Sequence, residues 1–385
     1  MTNAREIELG ELMPQEGRSS VNPADYPGEV FELLSIPAYD RGSAEIALGS
    51  EIGSTKQAVH PGDVLLSKIV PHIRRAWVVE PSAGSRQIAS SEWIVFRSKE
   101  ADARYLRHFL VSDGFHRQFM QTVSGVGGSL LRARPKYVAK IKIPLPPLEE
   151  QRRIAAILDV IQRMRQLHAK WIVGLSALRQ SLYRQLTGQP GSRLLSLSSL
   201  AKITSGYAFK AADFCERGVH VIRMSDLNGE YVELEGSAMV PPAAVAGLER
   251  FELLEGDILL GMSGSLGKLG IVPSIPAGSR AFLNQRVAKI SLLPGSSISR
   301  QLLIEAIKSK EYMSHLERCA AGVAVRNVSA TQMLDCVVPA PTPHEGNAFA
   351  EQCRLIGIQI HRSEHCMAQS AALQAALSKD LLGMQ

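Results

Sequence analysis

The chain has 385 residues, 45% hydrophobic and 21% charged, with a formal net charge of +6 and a pI near 9.1. That balance excludes a disordered polyelectrolyte and a fibrous repeat, and the length accommodates two or three domains with cores of their own. No apolar run approaches the roughly 18–20 residues of a membrane helix, and the acidic start lacks the basic-then-apolar order of a signal peptide. A cytoplasmic protein with no membrane partner is expected. The five cysteines, Cys215, Cys319, Cys336, Cys353 and Cys366, form no CxxC pair, and their odd number speaks against a disulfide framework.

In chain order, residues 1–147 read as a first mixed domain. Short β-branched or leucine-rich runs at 63–67, 76–80, 93–96 and 141–143 lie between Gly, Pro and Ser and predict strands, and residues 105–124 predict a short helix anchored by Phe115. Next comes a proline-free stretch, 148–189, opened by Glu149 and Glu150 in a first helical turn and closed by Gly188 and Pro190. Its apolar residues Ile154, Leu158, Ile161, Met164, Ile172, Leu175, Leu178 and Leu182 follow three–four spacing, with His168 where an apolar residue is missing. Residues 190–343 form a second mixed domain with strands predicted at 258–261, 270–273, 287–292 and 336–338. Residues 344–385 form a second long helix with Phe349, Cys353, Ile356, Ile360, Met367, Leu377 and Leu381 on one stripe, weakened at Ser363 and Ser370. Each helix, at roughly 39 residues, is a rod of about 58 Å.

The chain is a repeat with a period of about 195 residues. Gly62-Asp63-Val64-Leu65-Leu66 returns as Gly256-Asp257-Ile258-Leu259-Leu260, Gly125-Val126 as Gly322-Val323, residues 105–124 as 302–321 with Tyr312 for Phe115, and residues 143–147 as 338–342. So long a period means duplicated domains rather than a solenoid. The fold class expected is therefore α+β: two duplicated α/β-mixed domains joined by two long antiparallel coiled-coil helices in a pseudo-two-fold arrangement.

Lys and Arg exceed Asp and Glu by 18 to 16 in residues 1–147, by 15 to 14 in 191–342 and by 7 to 3 in 148–190. Any phosphate-facing surface in the domains must come from local sorting of charge. Basic and amide side chains of the loop stretches, the types that suit contact with phosphates or base edges, are Lys56, Lys68, Arg74, Arg75, Arg132 and Arg134 in the first domain, and Lys210, Lys268, Asn284, Gln285, Arg286, Arg326 and Asn327 in the second. The glycine-rich stretch 124–129 would allow close backbone approach to a duplex. For any one of these side chains the competing reading is a solvated surface residue.

Motifs of catalysis are near-misses. Residues 261–269 lack the glycine spacing of a phosphate loop, and Leu269 cannot bind magnesium. Asn22-Pro23-Ala24-Asp25 has no glycine-rich cofactor motif beside it. His361-Arg362-Ser363-Glu364-His365 matches H-x-x-E-H, but on a long helix with 20 residues after it. No catalytic residue, metal or cofactor is expected.

Ile143-Pro144-Leu145-Pro146-Pro147-Leu148-Glu149-Glu150-Gln151-Arg152-Arg153-Ile154 resembles the junction between recognition domain and spacer helix in specificity subunits of type I restriction–modification systems. Ser35-Ile36-Pro37-Ala38-Tyr39-Asp40, Ser205-Gly206-Tyr207-Ala208-Phe209-Lys210 and Asn284-Gln285-Arg286-Val287 resemble recognition-domain segments of the same family. The resemblance covers essentially the whole chain. It implies two target-recognition domains (1–147 and 190–343), each reading half of a bipartite site in double-stranded DNA. The spacer helices (148–189 and 344–385) would set their separation. They would also dock two modification (methyltransferase) subunits through Ile154, Leu158, Ile161, Leu175, Leu178, Leu182, Phe349, Ile356, Ile360 and Met367, beside ATP-dependent restriction subunits. The second junction, residues 338–345, lacks the Glu-Gln pair. Two other readings stay open: a decoy that occupies methyltransferase partners without reading DNA, and an enzyme with its own methyltransferase or nuclease activity.

Overall fold

In a computed structural model, residues 4–14, 20–82, 84–125, 131–188, 193–264, 266–320 and 328–382 are described. The chain divides into two compact units. One comprises Met1–Ala169 with Glu364–Gln385, the other Lys170–Ser363. Each unit therefore contains a globular head and one part of each long helix.

In the first head Val64–Ser67 is the middle strand of a three-stranded antiparallel sheet, between Ala76–Val78 and Trp93–Phe96. All four of its residues are buried because both faces are covered. Val64 and Leu66 join the core of the helices Ala103–Leu110 and Asp113–Met120, while Leu65 joins Trp93 and Val79 on the other side. Strand periodicity of two sends neighbours to opposite faces, which is why the run is apolar throughout. A five-stranded sheet, ordered Ser20–Val21, Lys56–Ala58, Arg86–Ala89, Val30–Leu34 and Glu45–Leu48, has one parallel pair, Val30–Leu34 with Arg86–Ala89. Arg5–Glu8 pairs with Lys142–Leu145 just ahead of the first long helix.

The second head repeats this plan. Ile258–Gly261 lies between Leu269–Ile271 and Val287–Leu292, with Ala201–Ser205 as an added edge. Ile258 and Leu260 face one core and Leu259 the other. Val219–Ile222 runs parallel to Ala281–Leu283, and Arg193–Ser196 pairs with Val337–Ala340. The stretches expected to hold one short helix hold two each, Ala103–Leu110 with Asp113–Met120 and Arg300–Ile307 with Lys310–Cys319. Ser112 and Ser309 break them and cap the second helix of each pair through the N–H groups of Phe115 and Tyr312.

The long helices, Leu148–Thr187 and Pro343–Leu382, are 40 residues each. Positions 154, 158, 161, 165, 168, 172, 175, 179 and 182 of the first are buried or half-buried, and all nine recur 195 residues later as 349, 353, 356, 360, 363, 367, 370, 374 and 377 of the second. Ser363 and Ser370 thus occupy stripe positions, and Ser370 ties its hydroxyl to the Cys366 carbonyl at 2.7 Å. Leu178, expected on the stripe, is 46% exposed; the buried neighbour is Arg179 at 5%. Met164 likewise faces solvent. Three–four spacing is satisfied by 175–179–182, and an arginine can take the middle place because carboxylates meet it there.

Within each unit the helix segments pack on each other and on the head. In the first, Arg165 Nη1 donates to Gln374 Oε1 at 2.8 Å, and Ile154, Ala155, Leu158 and Leu382 enter the head's core. In the second, the Tyr183 and Phe349 rings lie 6.4 Å apart and both join the core. Leu158 beside Leu382 in one core and Arg165 on Gln374 make the segments antiparallel in the first unit, as Tyr183 on Phe349 and Arg179 beside Gly357 do in the second. No described helix is long and apolar enough to cross a membrane.

Candidate nucleic-acid interface

Two repeated devices hold the loops of each head. The first is the Gly-Asp turn ahead of the central strand. Gly62 and Gly256 have φ of +89° and +84°, a region open to glycine. Their N–H groups donate to Val79 O and Val272 O, each at 2.8 Å. The following aspartate closes the turn: Asp63 Oδ2 accepts from His60 N, and Asp257 Oδ2 from Leu254 N, both at 2.9 Å. A basic residue of a neighbouring segment neutralises each carboxylate, Arg97 on Asp63 in two-pronged fashion and Lys289 on Asp257 at 3.1 Å. The Gly-Asp motif is therefore scaffold.

The second device is a set of backbone bonds between loops at the far end of the central strand. Ser90 N donates to Leu34 O at 3.1 Å, and Asn284 N to Ile222 O at 3.1 Å. Lys68 N donates to Glu92 O and Met262 N to Arg286 O, both at 3.0 Å. Ala133 N donates to Lys68 O at 2.8 Å and Val328 N to Met262 O at 3.0 Å. Three segments meet in the same way in both heads: 68–75, 90–92 and 131–134 in the first, and 262–264, 284–286 and Val328 in the second. Loop 68–75 also contains Val70 at φ +46°. A β-branched residue there costs on the order of 1–3 kcal/mol and persists only where the surroundings impose it; here Val70 N is held by Leu131 O at 3.2 Å.

The expected contact residues separate on this frame. Lys68, Arg132 and Arg134 cluster at the converging loops. Lys68 Nζ and Arg132 Nε flank Glu92 at 4.0 and 3.4 Å, and Arg134 Nε donates to Ser124 Oγ at 2.6 Å. Arg74 lies in the same loop but is tied to Asp113 at 2.6 Å and to Val111 O. Two candidates are withdrawn from the surface. Lys56 is 9% exposed, its ammonium held by Ser54 O at 2.7 Å and its pKa lowered by burial. Arg75 is 9% exposed and grips Asp40 through two hydrogen bonds, which holds the Asp40 carboxyl below the usual range. In the second head Gln285 and Arg286 project from the turn, whereas Asn284 is buried and caps it, accepting from Arg286 N at 3.4 Å. Lys210 is exposed beside the 3-10 turn Ala211–Asp213, and Lys268 reaches Asn228 Oδ1 at 3.4 Å. Arg326, Asn327 and most of the glycine-rich stretch 124–129 lie outside the described residues. Among the described residues no group of three or more His, Cys, Asp or Glu could hold a metal ion.

The junction closes on one side chain. Gln151 is 1% exposed, and its Oε1 accepts Asp102 N at 2.7 Å while its Nε2 donates to Pro146 O at 2.8 Å and Glu100 O at 2.9 Å. Gly346 takes this place at the second junction. There Thr342 and Glu345 form a capping box instead, Thr342 N donating to Glu345 Oε2 at 3.0 Å.

The family model of the type I restriction modification DNA specificity domain matches residues 7–175, the first head with its junction and the start of the long helix. The specificity subunit of type I restriction enzyme MjaVIII from Methanocaldococcus jannaschii is 27% identical over 252 residues, 60% of this chain. Residues 7–175 thus carry a type I restriction modification DNA specificity domain, and the chain is similar to type I restriction enzyme specificity subunits. It spans 59% of the length of that relative. Two solved structures share the fold. The type I restriction–modification S subunit from M. genitalium has a TM-score of 0.59 at 12% identity, covering 99% of this chain and 96% of its own. A chain from a study of type I complex assembly and conformational transition has 0.53 at 18%, covering 100% and 99%.

The segments that resemble specificity subunits fall at defined places. Ser35 caps the helix Ile36–Arg41, whose Tyr39 packs edge-on against Trp77 and Trp93 and whose Asp40 receives Arg75. Gly206 lies against the turn 284–286 so closely that a Cβ would stand 2.2 Å from Asn284 O. Tyr207 then bonds to Leu283 O through its N–H at 2.8 Å and receives Gln285 N at 2.9 Å. The exposed Tyr207 ring stands 5.0 Å from Phe209 and 5.7 Å from Phe251. Sequence reasoning passed over Tyr207 and Glu92 as site residues; an aromatic and an acid carry no basic signal, and only the loop contacts put Glu92 between Lys68 and Arg132 and Tyr207 against the turn 284–286.

Proposed function

We propose that the chain is the non-catalytic DNA-reading subunit of a type I restriction–modification complex. Each head reads one half of a bipartite site in double-stranded DNA, and the chain directs two modification (methyltransferase) subunits and the ATP-dependent restriction subunits to it. The observation that carries this reading is one backbone frame built twice with different side chains on it. Phosphate contacts fix register while side chains at base edges specify sequence, so a duplicated frame with divergent loops suits two different half-sites. A helix of 40 residues is about 60 Å long, against 34–36 Å for one turn of B-DNA; the gap between half-sites would follow from that length. Val160, Met164, Leu167, Trp171 and Leu178 of the first long helix are exposed, and such apolar surface is what partner subunits would cover.

The test is to reconstitute the chain with its modification subunits and map methylated bases in genomic DNA exposed to the complex. One bipartite sequence with a fixed gap is expected. Methylation at no defined site would favour a decoy, and methylation by the chain alone an enzyme in its own right.

A further inference from the structure

The duplicated frame sets one residue of each head in the same place. Glu92 and Arg286 both offer their carbonyl to the residue that follows the central strand, Lys68 N and Met262 N, at 3.0 Å, and both end a turn whose first residue is pinned to a parallel strand at 3.1 Å. The turn reads Ser90-Ser91-Glu92 in one head and Asn284-Gln285-Arg286 in the other, so equal backbones carry opposite hydrogen-bond chemistry. Arg286 is exposed, and among the described residues it makes no ion pair. Its fork of donors is therefore open to a ligand, on a base made rigid by Tyr207 O, Ile222 O and the Val287 N–H. Glu92 is flanked by Lys68 and Arg132, whose positive charges offset the repulsion its carboxylate would feel near phosphates.

We propose that residues 92 and 286 are corresponding base-reading positions: Arg286 donates to O6 and N7 of a guanine in the half-site of the second head, and Glu92 accepts from the exocyclic amine of a cytosine in the half-site of the first. The proposal rests on the reading of the chain as a two-headed DNA-reading subunit. It goes beyond that reading in naming which residue determines which base. A guanidinium matches the two acceptors of guanine in the major groove, and a carboxylate matches only the donor of cytosine.

The experiment uses the chain with its modification subunits. First the wild-type methylated site is mapped. Arg286→Ala and Arg286→Gln are then mapped the same way, with assembly and thermal unfolding as checks on folding. Relaxation of one G·C position in one half-site is expected, with the other half unchanged, and Glu92→Gln is expected to relax one position in the opposite half. In binding assays, 7-deazaguanine at the position read by Arg286 should weaken wild-type binding on the order of ten-fold and leave Arg286→Ala binding unchanged. Weakening of the Arg286 variants at all sequences alike, with the site intact, would assign Arg286 to phosphate and overturn the proposal while the two-headed reading stands. A wild-type complex with no bipartite site would overturn both.

Discussion

The side-chain oxygen of Gln151 accepts the backbone N–H of Asp102 at 2.7 Å, joining the first turn of the long helix to the cap of the first head's helix Ala103–Leu110. The same amide serves two carbonyls, so three backbone groups depend on one buried residue. Gln151→Ala should cost about 2–4 kcal/mol, since orphaned buried polar groups lose their partners at once. Gln151→Glu should cost more, because a carboxylate would face the Glu100 and Pro146 carbonyls. At the second junction Thr342→Ala removes only a cap and should cost about 1 kcal/mol. Urea denaturation of the three variants checks the ranking.

Arg179 is enclosed by Glu230 and Glu305, with Lys308 3.8 Å from Glu230. Removing one member leaves buried charge uncompensated, so Arg179→Met should cost about 3–5 kcal/mol. The triple variant Arg179→Met/Glu230→Gln/Glu305→Gln should recover most of that loss. Thermal unfolding separates the two outcomes. Cys353, buried nearby with its thiol pKa pushed up to about 12 by burial and the Glu305 charge, should stay unreactive to alkylating agents until this unit unfolds.

His108 lies 2.7 Å from Asp159, but burial and the adjacent Arg107 push its pKa down to about 4 from 6.5. The unfolded chain therefore binds this proton first as the pH falls. Stability is full above pH 6.5 and is lost toward pH 4, by about 2 kcal/mol between pH 7 and pH 5. Urea titrations at those two pH values should show the slope in the wild type and a shallower one in His108→Gln.

Gly206→Ala would place a methyl 2.2 Å from the Asn284 carbonyl oxygen. The turn 284–286 must move, so selectivity in the second head's half-site should fall with the other half intact. Site mapping of the variant complex measures this.

How much of this was legible beforehand follows from the kind of signal each feature leaves. The repeat, the helix pair and the central strands showed because apolar runs and long periodicity are carried by many residues. The short strands Glu45–Leu48 and Lys56–Ala58 did not, since runs of three or four residues without apolar alternation have no pattern of their own. Lys56 and Arg75 read as surface charges because their partners, Ser54 and Asp40, are set by tertiary packing. The correspondence of Glu92 with Arg286 is invisible in letters, because the turns share a backbone and no side chain. Leu178 drew the apolar stripe one residue away from Arg179, whose acceptability depends on Glu230 and Glu305 of a head distant in sequence.

The most direct test of the central claim is to insert seven residues, one whole heptad, into each long helix and sequence the methylated sites of the reconstituted complex. Seven residues add about 10 Å, roughly three base pairs at 3.4 Å each. The account predicts both half-sites unchanged and the gap between them longer by about that amount. An unaltered gap, with the complex still active, would contradict it.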